Sequence, residues 1–194
     1  KVFGYGVSIG DYPTIIGASD ANVQLTAWSI GKHKGKIDIG KYALITPGVR
    51  IMAAENIKIG NACMIAHGAY ISDADWHGIY DRAEPVGKTK PVIFKDNVWI
   101  GDSAIICKGV TIGNNSIIGA GSVVTKDVPD NVIYAGNPAK LVKKLDKDKF
   151  NTRREFFSDP QKLALDFDNL DRYTLSKNSL LGWLKSLIFP DKSN

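Results

Sequence analysis

Aliphatic residues recur at every sixth position through the middle of the chain. The register consists of five residues, Ile100, Ile106, Ile112, Ile118 and Val124. A second apolar series lies two positions earlier, at Val98, Ala104 and Val110. Neither the 3.6-residue period of an amphipathic helix nor the simple alternation of a strand produces this spacing. The chain therefore contains an internal six-residue repeat.

The same period is present upstream, with one break in phase. Ile39, Ile45 and Ile51 keep the interval, Ile59 comes two residues late, and Ile65 and Ile71 resume the repeat. A short extended run and a tight turn every six residues are typical of a solenoid, in which equivalent side chains stack from coil to coil. A β-sandwich is the alternative, but its turns are about 8–12 residues apart. We predict an all-β solenoid.

Composition and charge narrow the possible functions. Glycine contributes 19 of 194 residues, and glycines at the corners of a repeat explain this excess. The two cysteines have no C-x-x-C spacing, which favours reduced thiols over a disulfide scaffold or a zinc knuckle. We expect a cytoplasmic protein, because no apolar run has the length of a membrane span and no signal peptide pattern opens the chain. The net charge of +5 is compatible with a phosphate-bearing ligand, nucleic acid or an anionic membrane.

Residues 97–144 carry a resemblance to a known family. They read NVWIGDSAIICKGVTIGNNSIIGAGSVVTKDVPDNVIYAGNPAKLVKK, which is similar to the donor-binding half of galactoside, maltose and xenobiotic O-acetyltransferases with hexapeptide repeats. The resemblance extends over roughly residues 7–145. It implies a left-handed parallel β-helix of about six coils, which forms homotrimers with active sites between adjacent subunits. It also implies acetyl-CoA as donor and a hydroxyl of a sugar or glycan, of the lipopolysaccharide or capsule type, as acceptor.

The repeat stops at a polar and aromatic loop, residues 73–91. Long loops inserted in compact repeats are usually functional or disordered. The resemblance makes His77 in this loop the general base, and a largely neutral imidazole at pH 7 suits the removal of a hydroxyl proton. Asp73, Asp75 and Asp81 are all candidates for orienting His77. The sequence does not choose among them.

Four residues are candidate contacts for the acceptor. They are Glu55 in the turn near the phase break, His67 within a repeat, and Asp73 and Trp76 in the loop. An ordinary surface position is the alternative for Glu55 and His67.

The resemblance also implies contacts to coenzyme A at seven residues. They are Trp99, Asp102, Ala120, Thr125, Lys126, Lys140 and Lys143. The small residues 119–121 allow a ligand to approach the backbone, and lysines suit phosphate groups. Lys140 and Lys143 share one face if a helix begins there. The family often has arginine at these two positions, so lysine keeps the charge and loses the bidentate geometry. A solvated basic helix that caps the solenoid is the alternative.

The composition changes after Lys144. We predict a β-helix domain over residues 1–138, with the inserted loop 73–91, and a C-terminal helical extension over residues 139–194. Two segments of the extension have helical patterns, DPQKLALDFDNLDRYTL and NSLLGWLKSLIF. The second has a strong apolar face, which we expect to pack on the solenoid or on a neighbouring subunit. Peripheral contact with a membrane is the less favoured alternative.

Three other functions stay open. One is N-acetylation of an amino sugar with the same donor. Another is a zinc-dependent hydratase of the carbonic anhydrase type, but His33, His67 and His77 lack close metal-binding spacing, and we expect no metal. The third is a noncatalytic or nucleic-acid-binding solenoid, which is disfavoured because aromatic residues do not alternate with the basic ones. An acyl-cysteine intermediate is also disfavoured, because neither Cys63 nor Cys107 adjoins a base.

Overall fold

The computed structural model describes residues 1–175, 179–181, 184 and 188. The chain forms two compact units, Lys1–Arg154 and Glu155–Asn194. The first unit extends past the predicted boundary at residue 138, because a strand after that residue returns and pairs with the last coil.

The first unit is a parallel β-helix with three faces, whose strands are numbered in chain order. The first face contains β1 (Val2–Phe3), β4 (Gln24–Ala27), β9 (Arg50–Ala53), β12 (Tyr70–Ser72), β15 (Ile105–Ile106) and β18 (Val123–Val124). The second face contains β2 (Val7–Ile9), β7 (Ile37–Ile39), β10 (Ile57–Ile59), β13 (Val92–Phe94) and β16 (Thr111–Ile112). The third contains β3 (Thr14–Ile15), β8 (Leu44–Ile45), β11 (Met64–Ile65), β14 (Trp99–Ile100), β17 (Ile117–Ile118), β19 (Val132–Ala135) and β20 (Lys140–Lys144).

Strand pairing confirms the predicted solenoid of about six coils. Within the three faces every pair is parallel except β19 with β20, and the coil is left-handed. Ile93 pairs with Thr111, so this coil has 18 residues, or three hexads. Earlier coils are longer, since Ile37 pairs with Ile57. The extra residues leave the faces as turns and loops, and the stacking of the strands is unchanged.

The six-residue register forms the interior of the solenoid. Its four isoleucines have no exposed surface, and Val124 is 1% exposed. The second apolar series is buried as well and continues as two serines, Ser116 and Ser122. Ser116 Oγ donates to the Pro129 carbonyl oxygen at 2.6 Å, and Ser122 Oγ accepts the Gly136 N–H at 3.0 Å. These bonds allow hydroxyl groups at positions where the earlier coils have aliphatic side chains.

An insertion also forms a short antiparallel hairpin. Its strands are β5 (Ser29–Ile30) and β6 (His33–Lys34), between β4 on the first face and β7 on the second. His33 is half-buried in this hairpin.

A 3-10 helix at Arg153–Phe157 spans the boundary between the two units, and the second unit contains a helix, α1 (Pro160–Leu175). Asp159 caps α1 by accepting the Lys162 N–H at 2.9 Å, which is a favoured arrangement at a helix start. This confirms the first helix predicted in the tail. The second predicted segment, NSLLGWLKSLIF, lies largely outside the described residues. No helix in the described part of the chain is long and apolar enough to cross a membrane.

Asparagines form a ladder along the corner between the second and third faces. Asn97, Asn115 and Asn131 all have φ of 58°, in the left-handed region that asparagine tolerates better than most residues. The Asn97 side-chain amide donates to Asn115 Oδ1 at 3.0 Å, and that of Asn115 donates to Asn131 Oδ1 at 2.8 Å. The same side chains therefore shape the corner and join successive coils.

We predict that Asn115→Ala lowers the free energy of unfolding by about 2 kcal/mol, because alanine loses both ladder bonds and tolerates the left-handed backbone poorly. Asn115→Gly removes the ladder only, so its loss is smaller. Urea denaturation checks both values, with the exposed Lys58→Ala on the second face as the unchanged control. Equal losses for alanine and glycine would contradict the backbone part of this explanation.

Candidate active site

Three successive coils expand at one edge of the solenoid, between the first and second faces. We call this edge the loop corner. Its expansions are residues 28–35 with the β5–β6 hairpin, the wide turn at residues 54–56, and the loop at residues 73–91. Ala54, Ala74 and Val86 from two of these expansions form a small second core. The two-residue shift of the repeat between Ile51 and Ile59 thus corresponds to the wide turn, one coil before the loop at residues 73–91.

Asp73 fixes the wide turn. Its side chain is fully buried, Oδ1 accepts the Ala54 N–H at 2.7 Å, and Oδ2 accepts the Glu55 N–H at 2.9 Å. Burial raises the pKa of the Asp73 carboxyl, and the backbone donors offset only part of that effect. Because both oxygens are engaged, we interpret Asp73 as a structural cap and leave it out of the proposed acceptor contacts.

The loop folds back on itself and is fastened to the next coil. Ala74 and Thr89 form an antiparallel bridge, and the Asp75 N–H donates to the Lys88 carbonyl oxygen at 2.9 Å. Lys108, one coil further along the loop corner, forms an ion pair with Asp75 at 2.6 Å. Both partners are about 30% exposed, so the pair is better shielded from solvent than a surface salt bridge. The base of the loop is therefore held in place.

Trp76 anchors the loop on the first face. Its Nε1–H donates to the Tyr70 hydroxyl at 2.9 Å, and its ring lies 5.8 Å from that of Trp28 between ring centroids. The Arg50 guanidinium carbon is 4.8 Å from the centroid of the Tyr70 ring, within the range of a cation–π contact. A half-buried tryptophan thus directly precedes the candidate base.

His77 is exposed. Its ring makes no hydrogen bond to any described residue, although three carboxylates are close in sequence. Asp73 caps the wide turn, Asp75 pairs with Lys108, and Asp81 accepts the Ala83 N–H at 2.9 Å. In one chain, none of the three carboxylates orients the imidazole.

The structure separates the other predicted acceptor contacts. Glu55 is exposed on the wide turn, so Glu55, Trp76 and His77 share the loop corner. His67 is exposed on a different edge, the corner between the third and first faces, where its ring packs near Gly48 of the preceding coil. The loop-corner residues and His67 therefore lie on opposite edges of the first face.

The predicted donor contacts fall into three groups, and all are exposed. Asp102 and Ala120 occupy successive coils of the corner with His67, where the Gly121 N–H donates to the Asp102 carbonyl oxygen at 2.7 Å. Thr125 and Lys126 lie on the loop corner, one coil beyond Lys108. The third group, Trp99, Lys140 and Lys143, lies on the third face.

The two C-terminal donor lysines lie on a strand and not on a helix. Lys140 and Lys143 lie in strand β20, so the helix expected from their three-residue spacing is wrong at this position. Lys140 pairs with Ala135 and Lys143 with Ile133, with a bulge in the register between these pairs. Opposite residues share a face, and positions two apart on β19 point the same way. The bulge therefore places both lysines on one face, which a regular strand would not do.

Neither thiol is activated. Cys63 is fully buried, and burial raises its pKa to about 12. Burial also raises the pKa of Cys107, although Lys108 partly opposes this effect. Nucleophilic cysteines have lowered pKa values, so the geometry disfavours an acyl-cysteine intermediate.

The three histidines lie on separate features, namely the hairpin, the corner with Asp102, and the loop. Among the described residues, no group of three or more histidine, cysteine, aspartate or glutamate side chains is arranged to hold a metal ion.

Sequence analysis did not find several residues at this site. It missed the hairpin, the contact of Trp28 with Trp76, and the roles of Lys108 and Tyr70. The one available signal was spacing, since Val7 pairs with Ile37 and this coil is 12 residues longer than a coil of three hexads. The surplus indicates an insertion but not which side chains it brings to the loop.

Comparisons with known proteins agree with this architecture. Residues 91–126 match the family model described as bacterial transferase hexapeptide (six repeats). A solved structure, a maltose O-acetyltransferase from Clostridium difficile 630, is 32% identical with a TM-score of 0.54, covering 72% of this chain and 68% of that one. The chain belongs to the hexapeptide-repeat acetyltransferase family.

Two further relatives of this hexapeptide-repeat protein are informative. A Vibrio cholerae hexapeptide-repeat acetyltransferase, solved in complex with acetyl-CoA, has a TM-score of 0.58 and 29% identity, over 74% of this chain and 73% of that one. The galactoside O-acetyltransferase of Escherichia coli K12 is 37% identical over 60% of this chain and 59% of its own length. The chain thus spans less than two thirds of the first curated relatives that it matches.

We predict that Asp73→Ala lowers the free energy of unfolding by about 3 kcal/mol, because one buried and one part-buried backbone N–H group lose their acceptor. Asp73→Asn keeps one acceptor oxygen and loses less. Thermal and urea unfolding measure both effects, and Asp81→Ala, in the exposed part of the loop, stays within about 0.5 kcal/mol of the parent. A stable Asp73→Ala protein would rule out the capping role.

Proposed function

We propose that this protein is an acetyl-CoA-dependent O-acetyltransferase that acts on a hydroxyl group of a sugar or glycan. The observation that carries the proposal is His77, an exposed imidazole on a fastened loop at the same corner as Thr125 and Lys126. The acetyl-CoA complex of the Vibrio cholerae relative and the O-acetyltransferase names of the other relatives support the same chemistry.

The residues present fit coenzyme A. Lys126, Lys140 and Lys143 are exposed, and none has a carboxylate partner among the described residues, so their charges are available to phosphate groups. The corner at Ala120 and Gly121 is open, and a Cβ added to Gly121 would meet no atom within 4 Å. A ligand can therefore approach this part of the backbone closely.

The mechanism assigns proton transfer to His77. Acetyl-CoA supplies an acetyl group activated as a thioester. The neutral imidazole accepts the proton of the acceptor hydroxyl while the hydroxyl oxygen forms its bond to the acetyl carbon. The same imidazole then returns the proton to the sulfur as the carbon–sulfur bond breaks. The products are the acetyl ester and free coenzyme A, and no covalent acyl-enzyme forms.

The arrangement favours a site shared between chains. Ala120 lies on the corner that precedes β18, and Thr125 lies on the corner that follows it. They therefore belong to opposite edges of the first face. A corner runs along the solenoid axis, so a ligand that follows one corner contacts one edge only. Two copies placed edge to edge bring the two donor groups together, and we propose the homotrimer implied by the resemblance.

We predict that His77→Ala lowers kcat for acetyl transfer by about 10²–10⁴-fold, the usual contribution of a general base. Release of coenzyme A, measured with acetyl-CoA and a panel of glycosides, reports the rate. His33→Ala changes a histidine on the nearby hairpin and keeps the parent rate. Full activity of His77→Ala would remove the base from this mechanism.

The panel also includes amino sugars, and the position of the acetyl group is read by mass spectrometry. Acetyl esters support the proposal, whereas acetyl amides assign the alternative N-acetyltransferase reaction to the same loop.

We predict complementation between two inactive variants. His77→Ala removes the base, and Ala120→Trp blocks the donor corner. When the two chains are co-refolded in equal amounts, random trimers recover about a quarter of the parent activity if each site takes these residues from different chains. A control mixture, His77→Ala with parent chains, defines the expected dilution. No recovery above the separate variants would place both residues in one chain's site.

A further inference from the structure

A groove of about 830 Å³ lies beside the loop corner. It covers β1, β4 and β9, the first three strands of the first face. Phe3, Thr26, Trp28 and Met52 line it, with Lys34 and Lys36 among its polar residues. Its surface is mainly apolar, and its volume is in the range of about 300–1,000 Å³ that is usual for small-molecule sites. None of the donor contacts described above lies in this groove.

The groove is continuous with the anchored loop. Trp28 lines the groove and packs against Trp76, with 5.8 Å between the ring centroids. Trp76 directly precedes His77. A ligand in the groove therefore contacts Trp28, the ring that packs against the residue preceding the candidate base.

The charge along the groove is positive. Lys34 and Lys36 are exposed, and no acidic residue contributes to the described lining. Lys34 Nζ donates to Ser29 Oγ at 2.9 Å, which places this ammonium group against the hairpin. An apolar groove with two lysines and no carboxylate is complementary to a molecule with both an apolar portion and an anionic group.

We propose that this groove is an acceptor subsite for an amphiphilic glycoside. The apolar portion lies over Met52 and Trp28, an anionic group such as a phosphate lies near Lys34 and Lys36, and the sugar extends toward His77. This inference rests on the proposed acetyl transfer for its role, although binding in the groove can be measured without catalysis. It names the acceptor class as glycosides with an apolar, negatively charged aglycone.

Calorimetry with octyl phosphate below its micellar concentration tests the binding. Burial of an alkyl chain predicts at least about tenfold tighter binding of octyl phosphate than of methyl phosphate. Met52→Gln reduces that advantage by about tenfold. In the double variant Lys34→Gln and Lys36→Gln, the affinity for octyl phosphate falls to the value that the parent protein has for uncharged octyl glucoside. Ile93→Ser, which removes an exposed apolar side chain from the second face, leaves all affinities unchanged.

The inference fails if octyl and methyl phosphate bind equally, or if the groove variants bind octyl phosphate like the parent. It also fails if Met52→Gln alters the oligomeric state in sedimentation, since the groove would then be a contact between copies.

Steady-state kinetics distinguish failure of the acceptor subsite from failure of the proposed acetyl transfer. The parent acetylates octyl glucoside with a higher kcat/KM than methyl glucoside, and Met52→Gln removes the difference. Equal kcat/KM values overturn the acceptor subsite and leave acetyl transfer intact. Binding of octyl phosphate without acetyl transfer to any acceptor refutes both the proposed activity and the subsite role.

Discussion

The structure depends on the stacking of one aliphatic side chain on its equivalent in the next coil. Ile100, Ile106 and Ile112 fall on three different faces, and each continues a column of buried residues along its face. Since contacts are mainly between neighbouring coils, each coil supports the next, and stability accumulates along the axis. Insertions are tolerated only where they leave the faces. This constraint directs extra residues to the corners.

Three insertions occupy the loop corner, and this clustering produces the candidate site. A single long loop on a repeat would have little to pack against. Here the hairpin supplies Ile30, the wide turn supplies Ala54, and the loop supplies Ala74 and Val86 to one small core. Asp73 caps the middle insertion from the base of the last one. The loop that carries His77 therefore has support from two preceding coils, and its position is determined by packing as well as by its own sequence.

The solenoid could be predicted from the sequence because the six-residue spacing that specifies it is a local pattern. An aliphatic residue every six positions specifies both the strand and the corner, and the burial of Ile106 or Val110 follows directly. The loop boundaries followed from the loss of the same pattern. The ion pair of Asp75 with Lys108 was not predictable, because its partners are 33 residues apart and no period relates them. The strand at Lys140 was missed because the three-residue spacing of Lys140 and Lys143 suits a helix. A bulge in an antiparallel pair also places two residues with this spacing on one face.

The antiparallel strand β20 has a consequence for the end of the solenoid. A parallel β-helix leaves an open row of backbone donors and acceptors after its last coil, which invites pairing with another molecule. β20 covers the third face at this end, and its own edge carries lysines, which discourage further strand addition. Under the proposed function, Lys140 and Lys143 also contact the donor's phosphates. The charges that keep this edge from aggregating would then be neutralised whenever the donor is bound, so occupancy of the site and colloidal stability would be linked.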